Sequence, residues 1–315
     1  MAKKAALTAE EKAARKRSAK NHLRRYWVLY AMMVLPVIYY IVFKYLPMFG
    51  SVLAFRRYRP GMGPFGTEWT LRYWKQFLKD PAFWSALRNT LITSISNLVI
   101  NFPIPIIFAI LLNEVRAKHF KKVVQTISYM PRFISTVVVV TILNELLNPT
   151  SGMINQLIVA LGGESIYFMN MSAWFRPIYI LSETWQFTGW TAIIYLAAIT
   201  SISPDLFEAA EMDGASRLQQ IWYVTIPSIL PTVMVMLIMN VGHLLSLGFE
   251  KILLMYTPSN SGVSEIIDTL VYRTGLAQQN YSYATAIGLF SGLIGLILVS
   301  TSNAVSKKLT GESIY

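Results

Sequence analysis

The chain has 315 residues, 54% hydrophobic and 14% charged, with a mean hydropathy of +0.44; an average soluble domain carries about 25% charged residues. Several windows of roughly 20 mostly apolar residues are each long enough to cross a ~30 Å hydrocarbon core, so an ordinary soluble domain is excluded. The net charge is +12 and there is no cysteine, which removes disulfides, thiolate metal sites and a cysteine nucleophile together.

Nine of the 28 Lys and Arg fall in the first 25 residues, "MAKKAALTAEEKAARKRSAKNHLRR". No aromatic platform is interleaved with them, so the tail, residues 1–26, reads as a cytoplasmic anchor beside anionic lipid and not as a nucleic-acid arm. The first span is predicted over 27–49, with Pro36 kinking it and Lys44 snorkelling outward. A polar segment rich in Arg, Gly and Pro, including "RRYRPGMGPFG", follows to about 83. The second span covers 89–112 with a Pro-Ile-Pro break at 103–105. After the basic loop "NEVRAKHFKK" comes a third span near 123–143. Turn signals at Asn148-Pro149 and Gly162-Gly163 mark the next loop. A fourth span is expected over 177–199, a fifth near 231–254 and a sixth near 284–305, where Gly288, Gly292 and Gly295 suit close helix packing.

The chain thus reads as an all-α, polytopic membrane protein with six transmembrane helices spread over 27–306 and a short tail at 307–315. With both termini inside, sixteen Lys and Arg lie on the cytoplasmic side against eight outside, the other four lying within or at the edge of spans, which follows the positive-inside rule. That orientation puts 204–231 in the cytoplasm.

Motifs for chemistry are missing. His22, His119 and His243 are far apart, no phosphate-binding GxxxxGK[ST] is present, and no Ser/His/Asp set stands out. No metal site or bound cofactor is expected on this chain. Polar residues inside spans are costly unless they face water or partners. The candidates are Asn97 and Asn101, Glu183 with Trp185 and Gln186, and Asn240 with His243; Trp190 and Tyr195 add aromatic faces. A sugar ring has an apolar face and a polar rim, which suits aromatic residues beside amides and carboxylates. Glu183, Trp185, Asn240 and His243 are therefore the expected substrate path, against the plainer reading of an interfacial aromatic belt and a helix-tying Asn.

The stretch "EAAEMDGASRLQQIWYVTIPSILP", 208–231, is polar between two apolar runs. Pro204 and Asp205 start a short helix, Gly214 ends it, and Leu218, Ile221 and Trp222 share a face of a second helix. Pro227 and Pro231 are expected to turn the chain back into the membrane. Four acids (Asp205, Glu208, Glu211, Asp213) against one Arg would be repelled by anionic lipid, so this hairpin suits docking to a protein.

Glu208-Ala209-Ala210, three residues, Gly214, nine residues, then Val224-x-Ile226-Pro227 resembles the EAA loop of ABC-importer permeases, with Val and Ile where Ile-x-Leu-Pro is usual. "YLPMFGSVLAFRRYRP", "FWSALRNTLITS", "TWQFTGWTAIIYLAAITSISPDLFEAAEMDGASR" and "LGFEKILLMYTP" extend the likeness to the carbohydrate-uptake permeases, in the branch of LplB-type polysaccharide permeases, over about 25–310. The resemblance implies a multi-pass subunit of the bacterial cytoplasmic membrane that imports an oligosaccharide. It further implies a second permease, a different chain by expectation, two cytoplasmic ATPase subunits and an extracellular solute-binding protein. ATP and magnesium would sit on the ATPase, so this subunit would be a transporter component and not an enzyme. Glu208, Ala209, Ala210, Asp213, Gly214 and Pro227 would carry the coupling, with Glu208 facing an ATPase Arg. A permease for a non-sugar solute, and a membrane scaffold or sensor docking another cytoplasmic partner, stay open on the residues alone.

Overall fold

Apolar segments this long must satisfy every backbone polar group internally, and helices do so. The computed structural model describes residues 22, 24–63, 65 and 67–310, and among them the only pairing of extended chain is a single bridge between Arg56 and Trp69. Most of the basic tail expected over 1–26, and residues 311–315 of the C-terminal tail, lie outside the described residues.

The first span is α1 (Trp27–Tyr40), prolonged by a π turn at Ile41–Tyr45 that holds Lys44, a short helix and a 3-10 run at Phe49–Phe55. Pro36 lies inside α1, and only near the far end, at Ala54, does a residue of this span become buried. A short helix α2 (Arg72–Lys79) leads into α3 (Pro81–Asn101), capped by the Asp80 carboxylate, which accepts from Ala82 N at 2.9 Å. α4 (Pro103–Glu114) follows after Phe102 alone, so the expected break at 103–105 is a joint within one 34-residue span.

The third span is not one helix over 123–143. α5 (Lys118–Tyr129) and a 3-10 turn at Met130–Phe133 meet α6 (Thr136–Leu146) at a bend of 101°. Pro131 tightens the turn, and Ser135 opens a new helix by accepting from Val138 N; both signals sit inside an apolar run that hides them. α7 (Met153–Ala160) occupies the next loop between the two expected turns.

α8 (Ser172–Thr200) is the axis of the molecule. Its buried residues run from Phe175 to Ile199. One end packs in a cluster with Val140, Ile252 and Met255, the other with Ala109, Ile110 and Ile229. Gly189 is required where α8 crosses α5, since a Cβ there would meet Ser128 O at 2.2 Å. A 68° bend then leads to α9 (Pro204–Met212).

The expected turn at Pro227 and Pro231 does not exist. α10 (Arg217–Gln220), a π turn at Ile221–Thr225 and α11 (Ile226–Gly242) form one continuous helix of 26 residues. Ile226 N donates to Ile221 O, five residues back, so the helix widens just before Pro227. Pro231 inside α11 removes one donor only. The fifth span therefore runs from 217 to 242 and not 231–254; the chain breaks at 243–248 before α12 (Phe249–Met255). Short helices α13 (Ser261–Ser264) and α14 (Ile267–Tyr272) precede α15 (Tyr281–Thr310). Among the described residues four helices are long and apolar enough to cross a membrane, and up to six crossings result if each bent pair is one span. Of the three glycines of α15, Gly295 approaches Gly242 O, whereas Gly288 and Gly292 line an open groove instead of a helix contact.

Candidate functional site

Two constructions carry polar side chains that the fold alone does not need. The first is a polar space between spans. α3 contributes Asn97, α8 contributes Glu183, and α11 contributes Asn240; these three residues are common to two hollows of about 230 and 160 Å³. The larger adds Asn101, Phe187, Thr191 and Tyr195. The smaller adds Tyr179, His243 and the chain break 244–248, apart from Leu245. Irregular backbone at membrane depth is tolerated where it lines a cavity, and Ser94 Oγ satisfies one carbonyl there, that of Leu244. Glu183 stands eleven residues into α8, ~17 Å along its axis from Ser172 at 1.5 Å per residue.

The polar groups are wired to one another. Asn101 Nδ2 donates to Asn97 Oδ1 at 2.7 Å, tying two turns of α3, and also lies 3.3 Å from Ile180 O of α8. The Thr184 hydroxyl sits between Ile180 O and Asn101 Oδ1. Asn240 Nδ2 bonds back to Met236 O at 2.8 Å within its own helix, so this bond ties no second helix, and the residue lines the space.

Lys251, which sequence reasoning did not single out, is the centre of this network. Only 3% exposed, its Nζ donates to Glu183 Oε1 and, at 2.8 Å, to Gln186 Oε1. Gln186 Nε2 in turn donates at 3.1 Å to Ile134 O, a carbonyl left free at the 101° bend. The Phe187 ring receives two cations, Arg132 at 5.1 Å and Lys251 at 5.5 Å from its centroid. A lone Lys in "FEKILLM" facing a lone Glu in α8 was the available signal; an unpaired charge of either sign would cost several kcal/mol at this depth.

The four expected path residues do not all converge. Glu183, Asn240 and His243 line the polar hollows. Trp185 lines a separate apolar groove with Ile142, Leu146 and Leu181 and is 49% exposed. Two residues from Glu183 means about 200° around a helix, which is the opposite face.

The second construction is the hairpin. α9 ends in a Schellman arrangement: Gly214, at φ +77°, donates to Glu211 O at 3.0 Å and Ala215 N donates to Ala210 O at 2.9 Å. Ser216 then caps α10, and Gln219 Oε1 accepts from Ser216 N at 2.7 Å to complete a capping box. Arg217 and Glu211, 3.3 Å apart, join the arms at the surface. Glu208, Ala209, Asp213, Gly214 and Pro227 are exposed and Ala210 is half-buried. Met212, Leu218, Trp222 and Tyr223 add large apolar side chains that are at least 65% exposed. The Schellman turn closing α9 and the capping box opening α10 hold these groups outward. Among the described residues no cluster of His, Asp or Glu could hold a metal ion.

Comparison with known proteins gives consistent matches. The family described as "Binding-protein-dependent transport system inner membrane component" matches residues 82–311. The chain is 48% identical to "Polygalacturonan/rhamnogalacturonan transport system permease protein YteP" of Bacillus subtilis (strain 168), covering 91% of this chain and 90% of that one. It is 41% identical to "Protein LplB" of the same organism, covering 93% and 92%. Among solved structures it resembles a chain of a bacterial alginate ABC transporter in complex with an alginate pentasaccharide-bound periplasmic protein, with a TM-score of 0.86 at 38% identity, covering 93% and 99%.

Proposed function

The chain belongs to the family of binding-protein-dependent transport system inner membrane components, and we propose that it is the permease subunit of an ABC importer that carries an oligosaccharide into the cytoplasm. The carrying observation is the pair of polar hollows inside the span bundle that share Glu183, Asn97 and Asn240 in their walls. The solute class comes from its relatives, whose names give polygalacturonan/rhamnogalacturonan and alginate as what they transport. Amide, carboxylate and hydroxyl groups beside the Phe187 and Tyr195 rings suit a sugar's polar rim and apolar face.

Each hollow is smaller than the ~300–1,000 Å³ of usual ligand pockets. A sugar therefore passes only if the bundle opens, and that movement needs a free-energy source outside the membrane. The capped hairpin supplies the handle. With both termini in the cytoplasm, α9 and α10 dock into a cytoplasmic ATPase through Glu208, Ala209, Ala210, Asp213 and Gly214, with Pro227 at the base of the arm. ATP and magnesium are held by that ATPase, two copies of which serve this chain and a second, different permease. A docking free energy that differs between the closed and open ATPase biases the bundle between its two states. A solute-binding protein delivers the sugar from outside, as the periplasmic protein in the alginate complex suggests.

The test is uptake. Vesicles containing this chain, its co-purifying partners and the binding protein are expected to accumulate labelled oligosaccharide only with ATP inside. Equal accumulation without ATP, or ATP-driven uptake of amino acids or peptides and no sugar, would overturn the proposal.

A further inference from the structure

The segment between the first two spans is built, not slack. Arg56 Nη1 donates to Thr67 O at 2.8 Å, Thr67 Oγ1 donates to Arg57 O at 2.6 Å, and Thr70 N donates to Phe55 O at 2.8 Å. The Arg56 guanidinium lies 5.0 Å over the Trp69 ring. Ser282, at the head of α15, clamps the segment from the other side: its Oγ accepts from Tyr58 N at 2.9 Å and donates to Arg56 O at 2.7 Å. The described residues at both ends of this segment, 55–58 and 67–70, are therefore framed against each other and fixed to the last span.

That frame borders an open hollow of about 460 Å³ lined by Arg57, Arg59, Arg72, Glu68, Trp69 and Tyr73, among others, of which all but Tyr73 are exposed. The ion pairs among the described residues are Arg217–Glu211, Lys251–Glu183 and Arg273–Glu265. Among the described residues none of the three guanidiniums in this hollow has a carboxylate within pairing distance, and one Glu at the wall does not balance them. Like charges gathered about one space repel, and an anion placed among them relieves that repulsion. The Arg fork matches a carboxylate with two parallel hydrogen bonds, which a neutral sugar does not offer.

We propose that this hollow is an outer subsite for carboxylate-bearing sugar units, with the uronate carboxylate on Arg57, Arg59 and Arg72 and the ring face against Trp69 or Tyr73. The proposal rests on the sugar-import reading and on the six-span count, which puts 56–73 on the opposite side of the membrane from the hairpin. It narrows the solute to an acidic oligosaccharide. The volume lies within the ~300–1,000 Å³ of small-ligand sites, whereas a protein partner would need a face of about 800 Å²; the concavity favours a sugar over the acidic surface of a docking protein.

The test uses the full-length chain with the subunits that co-purify with it, titrated with trigalacturonate and with its fully methyl-esterified, uncharged form. The wild type is expected to bind the acid about tenfold more tightly than the ester, the scale of one charge-assisted hydrogen bond, with the difference shrinking as salt rises. The triple variant Arg57→Gln/Arg59→Gln/Arg72→Gln is expected to bind acid and ester alike, with the ester's affinity unchanged. Should the triple variant fail to assemble, Arg57→Gln, Arg59→Gln and Arg72→Gln singly are each expected to lower the acid's affinity and spare the ester's. Equal binding of acid and ester by the wild type overturns the proposal. So does a variant that keeps its preference for the acid but no longer recruits the binding protein, which would make this a docking face. The titration needs no transport, so vesicles that move no sugar would count against the importer reading and leave the acid–ester difference to stand by itself.

Discussion

The Lys251 ammonium of α12 and the Glu183 carboxylate of α8 form an ion pair inside the span bundle, 68 residues apart in sequence, with Lys251 almost fully buried. The pair fixes the broken region after the fifth span onto the central helix and sets the charge of the polar space that Glu183 lines. Removing one partner strands the other. We expect Lys251→Met and Glu183→Gln each to destabilise the detergent-purified protein by about 3–5 kcal/mol, as a lone buried charge does, and the double variant to recover most of that loss. Thermal unfolding of the three variants checks this; a double variant no better than the worse single would refute the pairing.

Because of that pair, Glu183 alone is a poor probe of the substrate path, and Asn240 is a clean one. Its amide group bonds only within its own helix, so Asn240→Ala costs little structurally. We expect it to lower the rate of sugar uptake several-fold with an unchanged thermal midpoint. Trp185→Ala, on the opposite face of α8 in an apolar groove, is expected to leave uptake near wild type. Uptake rates in the reverse order would remove the assignment of the polar hollows as the path.

Gly214 sits at φ +77° with open space where a Cβ would go, so its constraint is backbone conformation and not crowding. A β-branched residue in that region costs about 1–2 kcal/mol, and Asn, which tolerates it, costs less. Gly214→Val is expected to insert into the membrane normally yet lose uptake, while Gly214→Asn retains most of it. Vesicle uptake alongside membrane yield separates the two effects; undiminished uptake by the Val variant would deny the hairpin its role.

Gly189 is constrained in the other sense. A Cβ there meets Ser128 O at 2.2 Å, and backbone cannot swing aside as a side-chain tip can. Gly189→Ala should force α5 off α8 and lower stability by about 1–3 kcal/mol, the usual effect of overpacking. A midpoint equal to wild type would mean the crossing is looser than its geometry.

The spans were legible because hydrocarbon demands apolar length, and the first, second, fourth and sixth lie where their apolar runs lie. The third and fifth differ from expectation for a shared reason. Pro131 and Ser135 end one helix and start another inside an unbroken apolar run; Pro227 and Pro231 have the composition of a turn, although a π turn and the span itself absorb them. Proline signals where a donor is missing, not how the neighbouring helix compensates. The Asp213-Gly214 turn was readable since its chemistry is local. Lys251 was not singled out, because its meaning depends on Glu183, and that contact belongs to tertiary packing. The displacement of Trp185 from Glu183 was available from helix geometry alone.

The most direct test of the account is reconstitution with paired readouts: ATP hydrolysis and oligosaccharide uptake measured in the same vesicles, for wild type and for Glu208→Ala/Gly214→Val. The account predicts that both activities rise together on adding the sugar-loaded binding protein to wild type, and that the double variant loses uptake while the protein remains in the membrane. Uptake that stays coupled to ATP hydrolysis in the double variant would contradict the claim that this hairpin joins the ATPase to the path.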